Sequence, residues 1–291
     1  MVDADPQCNA TQYFFDDEQI NKIYEDDQSF TIHSVIYPLS LGEGYSGSIR
    51  TKPSRNFGLD VIPGDPRLAL TEDLLAKDWG AAKGGEIRGI RTNLVFSELL
   101  SKLNEYDFVF FDVSPSLGAL NRAILLSTDA FISPMSIDIF SLKAFENISQ
   151  WIGDWSEDWK KGLENVKDRE RDRIPGFHYG QARFLGYVTQ QYMAKRDRSG
   201  ERRAVQAYEN IRQKIDGIIR NSFSGNKSPP EPFEIGTVPN LFSLIPLSQS
   251  SHKPVFDLTG RDGVVGAHFA KVKDALEIFK TVSDGLISRV S

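Results

Sequence analysis

The sequence is poor in cysteine and has no excess of positive charge. Cys8 is the single cysteine among 291 residues, and 34 Lys and Arg stand against 40 Asp and Glu, which gives a net charge of −6. One cysteine excludes an intramolecular disulfide framework and a metal cluster held by several thiolates of one chain. The acidic balance means that binding to nucleic acid would need a local basic patch.

Long hydrophobic runs are also lacking. No stretch approaches the roughly 18 apolar residues of a transmembrane helix. The acidic first residues do not have the apolar core of a secretory signal. Together with the lone cysteine, these features predict a soluble cytoplasmic protein without a membrane partner.

What the chain does contain is a regular alternation of helical and strand-like segments, which is typical of a parallel sheet covered by helices. We therefore predict an α/β fold with a mostly parallel, doubly wound sheet and helices on both faces. We expect one domain over 1–291, with a charged insertion at 154–173 and loops at 42–56 and 222–232. The expected strands are 57–63, 106–112, 131–135, 184–189 and 235–238.

One of these strands ends in a carboxylate. Residues 106–112 read Y-D-F-V-F-F-D, and such an apolar run predicts a strand buried on both faces. A carboxylate at the tip of a buried strand is costly unless something uses it. In phosphoryl-transfer sites that carboxylate holds magnesium, directly or through a water. The alternative is that Asp112 caps the turn at Ser114 and Pro115.

Two more carboxylates, Asp3 and Asp5, stand one residue apart just before Pro6. This pattern suits the end of a strand at the carboxyl edge of a sheet, where open α/β folds place their ligands. Since side chains alternate along a strand, one of the two would face the crevice at that edge. With Asp112 they could supply oxygens for a hard cation and for a water. Alone, they fit a strand end with an Asp-Pro turn equally well.

Five segments follow one another in the order of a known family. Residues 3–11 read D-A-D-P-Q-C-N-A-T, 59–64 read L-D-V-I-P-G, and 106–118 read Y-D-F-V-F-F-D-V-S-P-S-L-G. Near the end, 238–240 read V-P-N and 251–255 read S-H-K-P-V. Taken together, these segments resemble the ParA/Soj-type partition ATPases, deviant Walker P-loop ATPases of the MinD/ParA group. The resemblance implies a P-loop NTPase-like fold.

The resemblance also implies ATP and Mg²⁺ as cofactors and a role for each matching residue. Asp5 would position or activate the water that attacks the γ-phosphate, and Asp3, also a catalytic candidate, would support the magnesium shell. Asp112 would hold magnesium through a water. Pro239 and Asn240 would lie near the adenine.

The partners implied by the resemblance are a second copy of the chain, DNA bound without sequence preference, and a ParB-like centromere-binding protein. The protein would then be associated with the nucleoid. The candidate DNA surface is a basic cluster made of Lys195, Arg196, Arg198, Arg202 and Arg203. The alternative is that these residues are the solvated start of a helix.

The phosphate loop of that family, K-G-G-x-G-K-[ST]-[ST], is not found among the 291 residues. Lys83-Gly84-Gly85 begins in the same way but continues without the Gly-Lys-Ser/Thr core, so it predicts a break between two helices. We therefore expect the first strand and the phosphate loop to lie ahead of Met1, which would make Met1 an internal residue of the second strand. On this expectation the chain alone is inactive.

Three alternatives remain open. The chain could be a catalytically dead relative that acts as a dimerisation or regulatory module. It could be a MinD-like protein recruited to membranes by its last helix, 267–288, but the polar face of that helix has no basic excess, which favours core packing. It could also be a relative that delivers metal clusters, although a bridging cluster needs a pair of cysteines. The apolar stripe of the last helix is Phe269, Val272, Leu276, Phe279, Val282 and Leu286.

Overall fold

The contacts within the chain group its residues into two units. The computed structural model describes residues 1–26, 29–136, 139–177, 179–180, 182–190, 203–223 and 229–290. The first unit comprises Met1–Thr128, Asp154–Gln181 and Gln249–Pro254, and the second comprises Asp129–Gly153, Ala182–Ser248 and Val255–Ser291. A single domain over 1–291, with its insertion and loop, stays a prediction.

Helices and short strands alternate along the whole chain, as expected for an α/β protein. The elements of residues 1–128 are β1 (Val2–Asp3), α1 (Asn9–Phe14), α2 (Asp17–Glu25), α3 (Ile32–Ser40), β2 (Lys52–Ser54), β3 (Leu59–Val61), a 3₁₀ helix (Pro66–Thr71), α4 (Glu72–Lys83), α5 (Ile87–Asn93), α6 (Val95–Ser101), β4 (Phe111–Asp112) and α7 (Ala119–Ser127). Those of the remaining residues are β5 (Ala130–Met135), α8 (Ile139–Glu164), a 3₁₀ helix (Asp168–Arg173), β6 (Arg183–Gln190), α9 (Arg203–Ser222), β7 (Glu234–Val238), α10 (Leu244–Ser251), two short 3₁₀ helices (Val255–Asp257 and Gly260–Asp262) and α11 (His268–Val290).

In the first unit, β1 contains Asp3, one of the predicted site residues. It pairs in parallel with β4, so that Val2 lies opposite Phe111 and Asp3 lies opposite Asp112. On its other side, Val2 forms a parallel bridge with Ile62. The ends of β1 and β4 therefore lie side by side.

Buried apolar side chains behind β1 form the core of this unit. Val2 packs in one cluster with side chains of α3, α4, α6 and α7, including Ile36, Leu75, Phe96 and Ile124. In α3 the buried positions are Ile32, Val35 and Ile36, the spacing of one helix face. This packing fixes the strand ends from one side of the sheet.

The expected loop at 42–56 is wrong at its end. Lys52–Ser54 forms β2, which pairs antiparallel with β3 in a hairpin. Sequence patterning missed this strand because Pro53 and its polar neighbours lack the alternation of a half-buried strand. The hairpin is instead stabilised by its ladder and by contacts such as the hydrogen bond from the Ser54 hydroxyl to the Phe14 carbonyl.

The expectation that 106–112 is buried on both faces is also wrong. Only Phe111 and Asp112 have strand geometry, and Phe108 and Phe110 are 48% and 46% exposed. Within the described ranges, β4 pairs with β1 alone, so one edge and one face of this run are uncovered. Val109 and Phe111, on the other face, pack against the core.

The second unit contains a three-stranded parallel sheet in the order β5-β6-β7. Phe184, Tyr187 and Phe233 from this sheet are buried with Ile215 and Ile219 of α9. The paired strands are parallel in both units, except for the β2–β3 hairpin, and the predicted α/β class is confirmed.

The last helix, α11, packs on its own unit only in part. Val272 and Ala275 are buried, whereas Phe269 and Leu276 of the predicted core stripe are exposed. The predicted core packing of the stripe is therefore confirmed at Val272 and Phe279, which belong to a core cluster, and is not seen at Phe269 and Leu276. Among the helices that the structure describes, none has the length and apolarity needed to cross a membrane.

Candidate functional site

The two parallel strand ends bring the predicted carboxylates together. Asp3 and Asp112 are register partners, and the Ala4 amide donates a hydrogen bond of 2.8 Å to the Asp112 carbonyl. Asp5 follows two residues after Asp3, beyond the last ladder bond. The electrostatic coupling of Asp112 to both Asp3 and Asp5 is the sign of three carboxylates at one edge of the sheet.

The carboxylate of Asp3 is bonded to groups of the protein itself. Its side chain is fully buried, and Oδ2 accepts hydrogen bonds from the Thr11 amide (2.7 Å) and the Thr11 hydroxyl (2.6 Å). Its Oδ1 accepts a longer bond of 3.3 Å from the Asp5 amide. Burial raises the pKa of Asp3, which the Thr11 bonds oppose and the Asp5 charge reinforces. Both oxygens are thus occupied by protein donors, and the magnesium-shell role expected for Asp3 stays a prediction.

Thr11 and Gly64 complete the attachment of Asp3. The Thr11 hydroxyl accepts a hydrogen bond of 2.7 Å from the Gly64 amide while it donates to Asp3. A Cβ at Gly64 would lie 2.8 Å from Asp3 Oδ2, so no side chain fits there. Neither residue was assigned a role from the sequence, although Thr11 closes the D-x-D-P-Q-x-N-A-T segment and Gly64 closes L-D-V-I-P-G. Both residues therefore stand in the motifs, but their spacing along the sequence does not show that Thr11 bonds to Asp3 and Gly64 to Thr11.

Asp5 keeps one oxygen available. Its Oδ1 accepts a hydrogen bond of 3.0 Å from the Gln7 amide, and the Cys8 amide bonds to the Asp5 carbonyl at 2.9 Å. This local turn places Asp5 at the surface end of the site. Among the described residues, no group donates a hydrogen bond to Oδ2 of Asp5, so this oxygen can accept one from a water.

Asp112 has the least protein bonding of the three. Its carboxylate, half-buried at the end of β4, receives no hydrogen bond from the described residues. Burial raises the pKa of Asp112, and the charges of Asp3 and Asp5 raise it further. A buried carboxylate beside two others favours a cation or a proton, because either one relieves the repulsion.

The donor set suits a hydrated divalent ion held through one carboxylate. In the described part of the chain, no three His, Cys, Asp or Glu side chains are grouped closely enough to chelate a metal by themselves. Magnesium in phosphoryl-transfer sites keeps several waters and uses one or two carboxylates. Asp112 fits that role, because neither of its oxygens accepts a hydrogen bond from the described part of the chain.

Cys8, next to these acids, is a packed residue. It is buried, and burial raises the pKa of its thiol to about 12, with Asp3, Asp65 and Asp5 adding to the effect and Tyr24 opposing it. A thiol with so high a pKa is a poor nucleophile. Cys8 also adopts φ 55°, ψ 31° at the start of α1, a backbone conformation that is uncommon for residues other than glycine.

The late segment 251–255 contributes a residue to the first unit. The Nδ1 atom of His252 lies 3.1 Å from the Gln12 carbonyl of α1. Since a carbonyl only accepts, Nδ1 carries the proton. The Asn56 side chain donates to the His252 carbonyl at 2.9 Å, and His252 has φ 48°. His252 thus connects α1 to the β2–β3 hairpin.

The other predicted site residues belong to later parts of the sequence. Pro239 and Asn240 follow β7 in the second unit, where the Asn240 side chain accepts a hydrogen bond of 2.8 Å from the Phe242 amide. Lys195, Arg196, Arg198 and Arg202 lie outside the described residues, and Arg203 is the first residue of α9, with its side chain undescribed. The roles of both groups stay predictions.

Comparison with known proteins yields one family and several solved structures with a similar fold. A family model described as AAA domain matches residues 1–165. The curated proteins contain no match. Among solved structures, a protein from Corynebacterium diphtheriae is 30% identical, with a TM-score of 0.65 over 86% of each chain.

Two more distant structures share the fold. A variant of McdA from Cyanothece, in complex with ATP, is 14% identical with a TM-score of 0.53, over 95% of this chain and 84% of its own. The pNOB8 ParA protein, bound to nonspecific DNA, is 18% identical with a TM-score of 0.52, over 99% of this chain and 87% of its own. The P-loop NTPase-like architecture expected from the sequence is therefore confirmed.

Proposed function

The chain belongs to the AAA-domain family and has the ParA-type fold, and from this membership we propose that it is a partition ATPase that uses ATP and Mg²⁺. The observation that supports this most is the pair of available carboxylates, Asp5 and Asp112, at neighbouring strand ends. In the part of the chain that the structure describes, no group donates a hydrogen bond to the Asp112 carboxylate, and one oxygen of Asp5 has no donor. A cation and a water are the two ligands that such a pair can serve.

On this proposal the two carboxylates have different tasks. Oδ2 of Asp5 would accept a hydrogen bond from the attacking water, and this bond would orient the water toward the γ-phosphate. Asp112 would hold Mg²⁺ through a water. When bound, the ion would supply positive charge that neutralises the phosphates. Asp3 acts indirectly, since its bonds to Thr11 hold α1 and the Asp5 turn in place.

The phosphates need donors that these residues do not supply. The 291 residues contain no K-G-G-x-G-K-[ST] sequence, and we propose that they do not hydrolyse ATP by themselves. Pro239 and Asn240 are proposed to contact the adenine.

The proposed partners are those of a DNA-partition protein. The structure of the ParA neighbour was solved with nonspecific DNA, and we propose that this chain also binds DNA without sequence preference. It would do so as a nucleotide-dependent homodimer and would work with a ParB-like protein. With a net charge of −6, its DNA affinity depends on a local cluster, for which Lys195, Arg196, Arg198, Arg202 and Arg203 are the candidates. Such binding weakens steeply as salt rises.

The test of the proposed function is metal and nucleotide binding by the folded chain. Mn²⁺ titration should broaden the backbone amide signals around Asp112, and Asp112→Asn should abolish that broadening. Asp107→Asn, an exposed carboxylate at the other end of the same apolar run, should leave it unchanged. A fluorescent ATP analogue should bind weakly in the presence of Mg²⁺, because the donors of the phosphate loop are not among the 291 residues, and Asp112→Asn should weaken this binding roughly 10-fold further or more.

Two results would count against the proposal. Mn²⁺ broadening that persists in Asp112→Asn would remove the metal assignment. A folded chain without measurable affinity for the ATP analogue would favour the alternative, a nucleotide-free module that acts as a dimerisation or regulatory partner.

A further inference from the structure

The turn that follows Asp112 is fastened by a side chain from α7. The amide nitrogen Nδ2 of Asn121 donates hydrogen bonds to the Ser114 carbonyl (2.6 Å) and to the Ser116 carbonyl (2.5 Å). These carbonyls lie two and four residues after Asp112, so the position of Asn121 determines the course of the turn. Asn121 is itself buried on the first turn of α7.

The first turn of α7 is in turn held by Glu72. One oxygen of the Glu72 carboxylate accepts the Ala119 amide, and the other accepts the Leu120 amide at 2.9 Å. Gly118, at the N-cap position, offers no side chain of its own. Glu72 comes from the first turn of α4, 47 residues earlier along the chain. It satisfies two donors that a helix start leaves unpaired and places a negative charge at the positive end of the helix.

Gly118 is the residue that makes room for this carboxylate. A Cβ there would lie 2.3 Å from an oxygen of Glu72 and 3.0 Å from its carboxyl carbon. The backbone angles of Gly118, φ −74° and ψ −175°, suit any residue. Close approach, and not backbone freedom, is therefore the reason for glycine at this position.

We propose that Glu72 is a positioning residue for Asp112: it fixes the start of α7, and through Asn121 it fixes the turn that sets the direction of the Asp112 side chain. The inference rests on the proposed function, because it takes Asp112 as the metal-side carboxylate. Glu72 lies on α4, whereas Asp112 ends β4, and on this proposal Glu72 contacts neither the metal nor the nucleotide. Glu72 acts on Asp112 indirectly, through the backbone amides of Ala119 and Leu120 and the side-chain amide of Asn121.

The test replaces Glu72 and measures the turn and the metal separately. Glu72→Gln keeps the shape of the side chain but can offer only one acceptor oxygen. We expect faster hydrogen exchange at Ala119 and Leu120, together with Mn²⁺ affinity near Asp112 lowered about 10-fold, as is usual when a group supporting a metal ligand is changed. The matched control is Asp73→Asn, an exposed carboxylate in the same helical turn, which should change neither measurement.

Gly118→Ala provides an independent route to the same bond. The added methyl displaces the carboxylate while every hydrogen-bonding group remains, so this variant also tests the proposal if Glu72→Gln does not fold. It should reproduce both effects, and the double variant should be little worse than either single one, because both changes remove one interaction.

The outcomes separate this inference from the proposed function. If Asp112→Asn weakens Mn²⁺ binding but Glu72→Gln and Gly118→Ala do not, Glu72 is a helix cap only and this inference fails alone. If Asp112→Asn itself leaves Mn²⁺ binding unchanged, the proposed function and this inference fail together. Weakening in all three variants supports both.

Discussion

At the residue scale, Asp112 combines a free carboxylate with an unfavourable environment. Burial and the charges of Asp3 and Asp5 raise its pKa from the ordinary 3.8. The folded state therefore binds this proton more tightly than the unfolded chain does. As pH rises from 3.8 through the raised pKa, the proton is lost and the free energy of unfolding falls. A cost in stability of this kind is expected at a position that we propose to bind a metal.

Replacing Asp112 should accordingly stabilise the protein. At pH 7, Asp112→Asn should raise the free energy of unfolding by about 1 kcal/mol, or Tm by roughly 2–4 °C. Well below pH 3.8 this electrostatic difference should vanish, because the wild-type side chain is then protonated in both the folded and the unfolded state. Thermal melts from pH 3 to pH 8 measure this, with Asp107→Asn as the exposed control. An Asp112→Asn variant that is less stable at pH 7 would contradict the assignment of an electrostatic penalty.

At the scale of elements, α1 is joined to two strands through a single hydroxyl. Thr11 donates to Asp3 at the end of β1 and accepts from Gly64 after β3. The residues between β1 and α1 include Asp5, so the position of the helix determines where Asp5 lies. Removal of the Thr11 hydroxyl should therefore lower the free energy of unfolding and also change the position of Asp5.

Thr11→Val removes this hydroxyl and keeps the volume. The buried Asp3 carboxylate then loses a donor and the Gly64 amide loses its acceptor, which should lower the free energy of unfolding by about 3 kcal/mol. Urea titration measures the loss, and hydrogen exchange should accelerate at Gly64. Thr11→Ser retains the hydroxyl and should cost less than about 1 kcal/mol. Equal losses in the two variants would mean that packing of the methyl group, and not the hydrogen bonds, stabilises α1.

At the scale of the whole molecule, Phe108 and Phe110 form an exposed aromatic pair, with ring centroids 6.2 Å apart. They lie beside β4, whose outer edge has no strand partner in the ranges that the structure covers. An open edge next to apolar side chains promotes association between chains. The net charge of −6 opposes such association, and salt weakens that opposition.

Phe110→Ser should therefore reduce self-association. Sedimentation velocity over a range of concentrations and salt should show the wild-type chain associating more as salt rises, and the variant remaining less associated throughout. Leu70→Ser, at a position that is 76% exposed on the 3₁₀ helix Pro66–Thr71, is the control for a general loss of surface hydrophobicity. If Leu70→Ser has the same effect as Phe110→Ser, the β4 face is not the associating surface.

Much of this could be predicted from residue order. The apolar run before Asp112 and the pair Asp3 and Asp5 predicted strand ends at a ligand-binding edge, and the parallel pairing of β1 with β4 confirms that they adjoin. The α/β class and the family followed from the alternation of elements and from the order of the motifs. Patterning failed at β2, where polar residues and a proline form a strand, and at Phe108 and Phe110, whose apolar character does not reveal whether another segment covers them.

The sequence by itself determined which carboxylates share an edge, because chain direction and the two-residue period of strands fix where each strand delivers its last side chains. Only the tertiary structure decided how they differ. Thr11, which is itself fixed by the Gly64 amide, donates two hydrogen bonds to Asp3, whereas the Asp112 carboxylate receives none from the described residues, and Glu72 reaches the start of α7 from 47 residues away. Such partners are brought together by the packing of distant segments, and local spacing has no information about that packing.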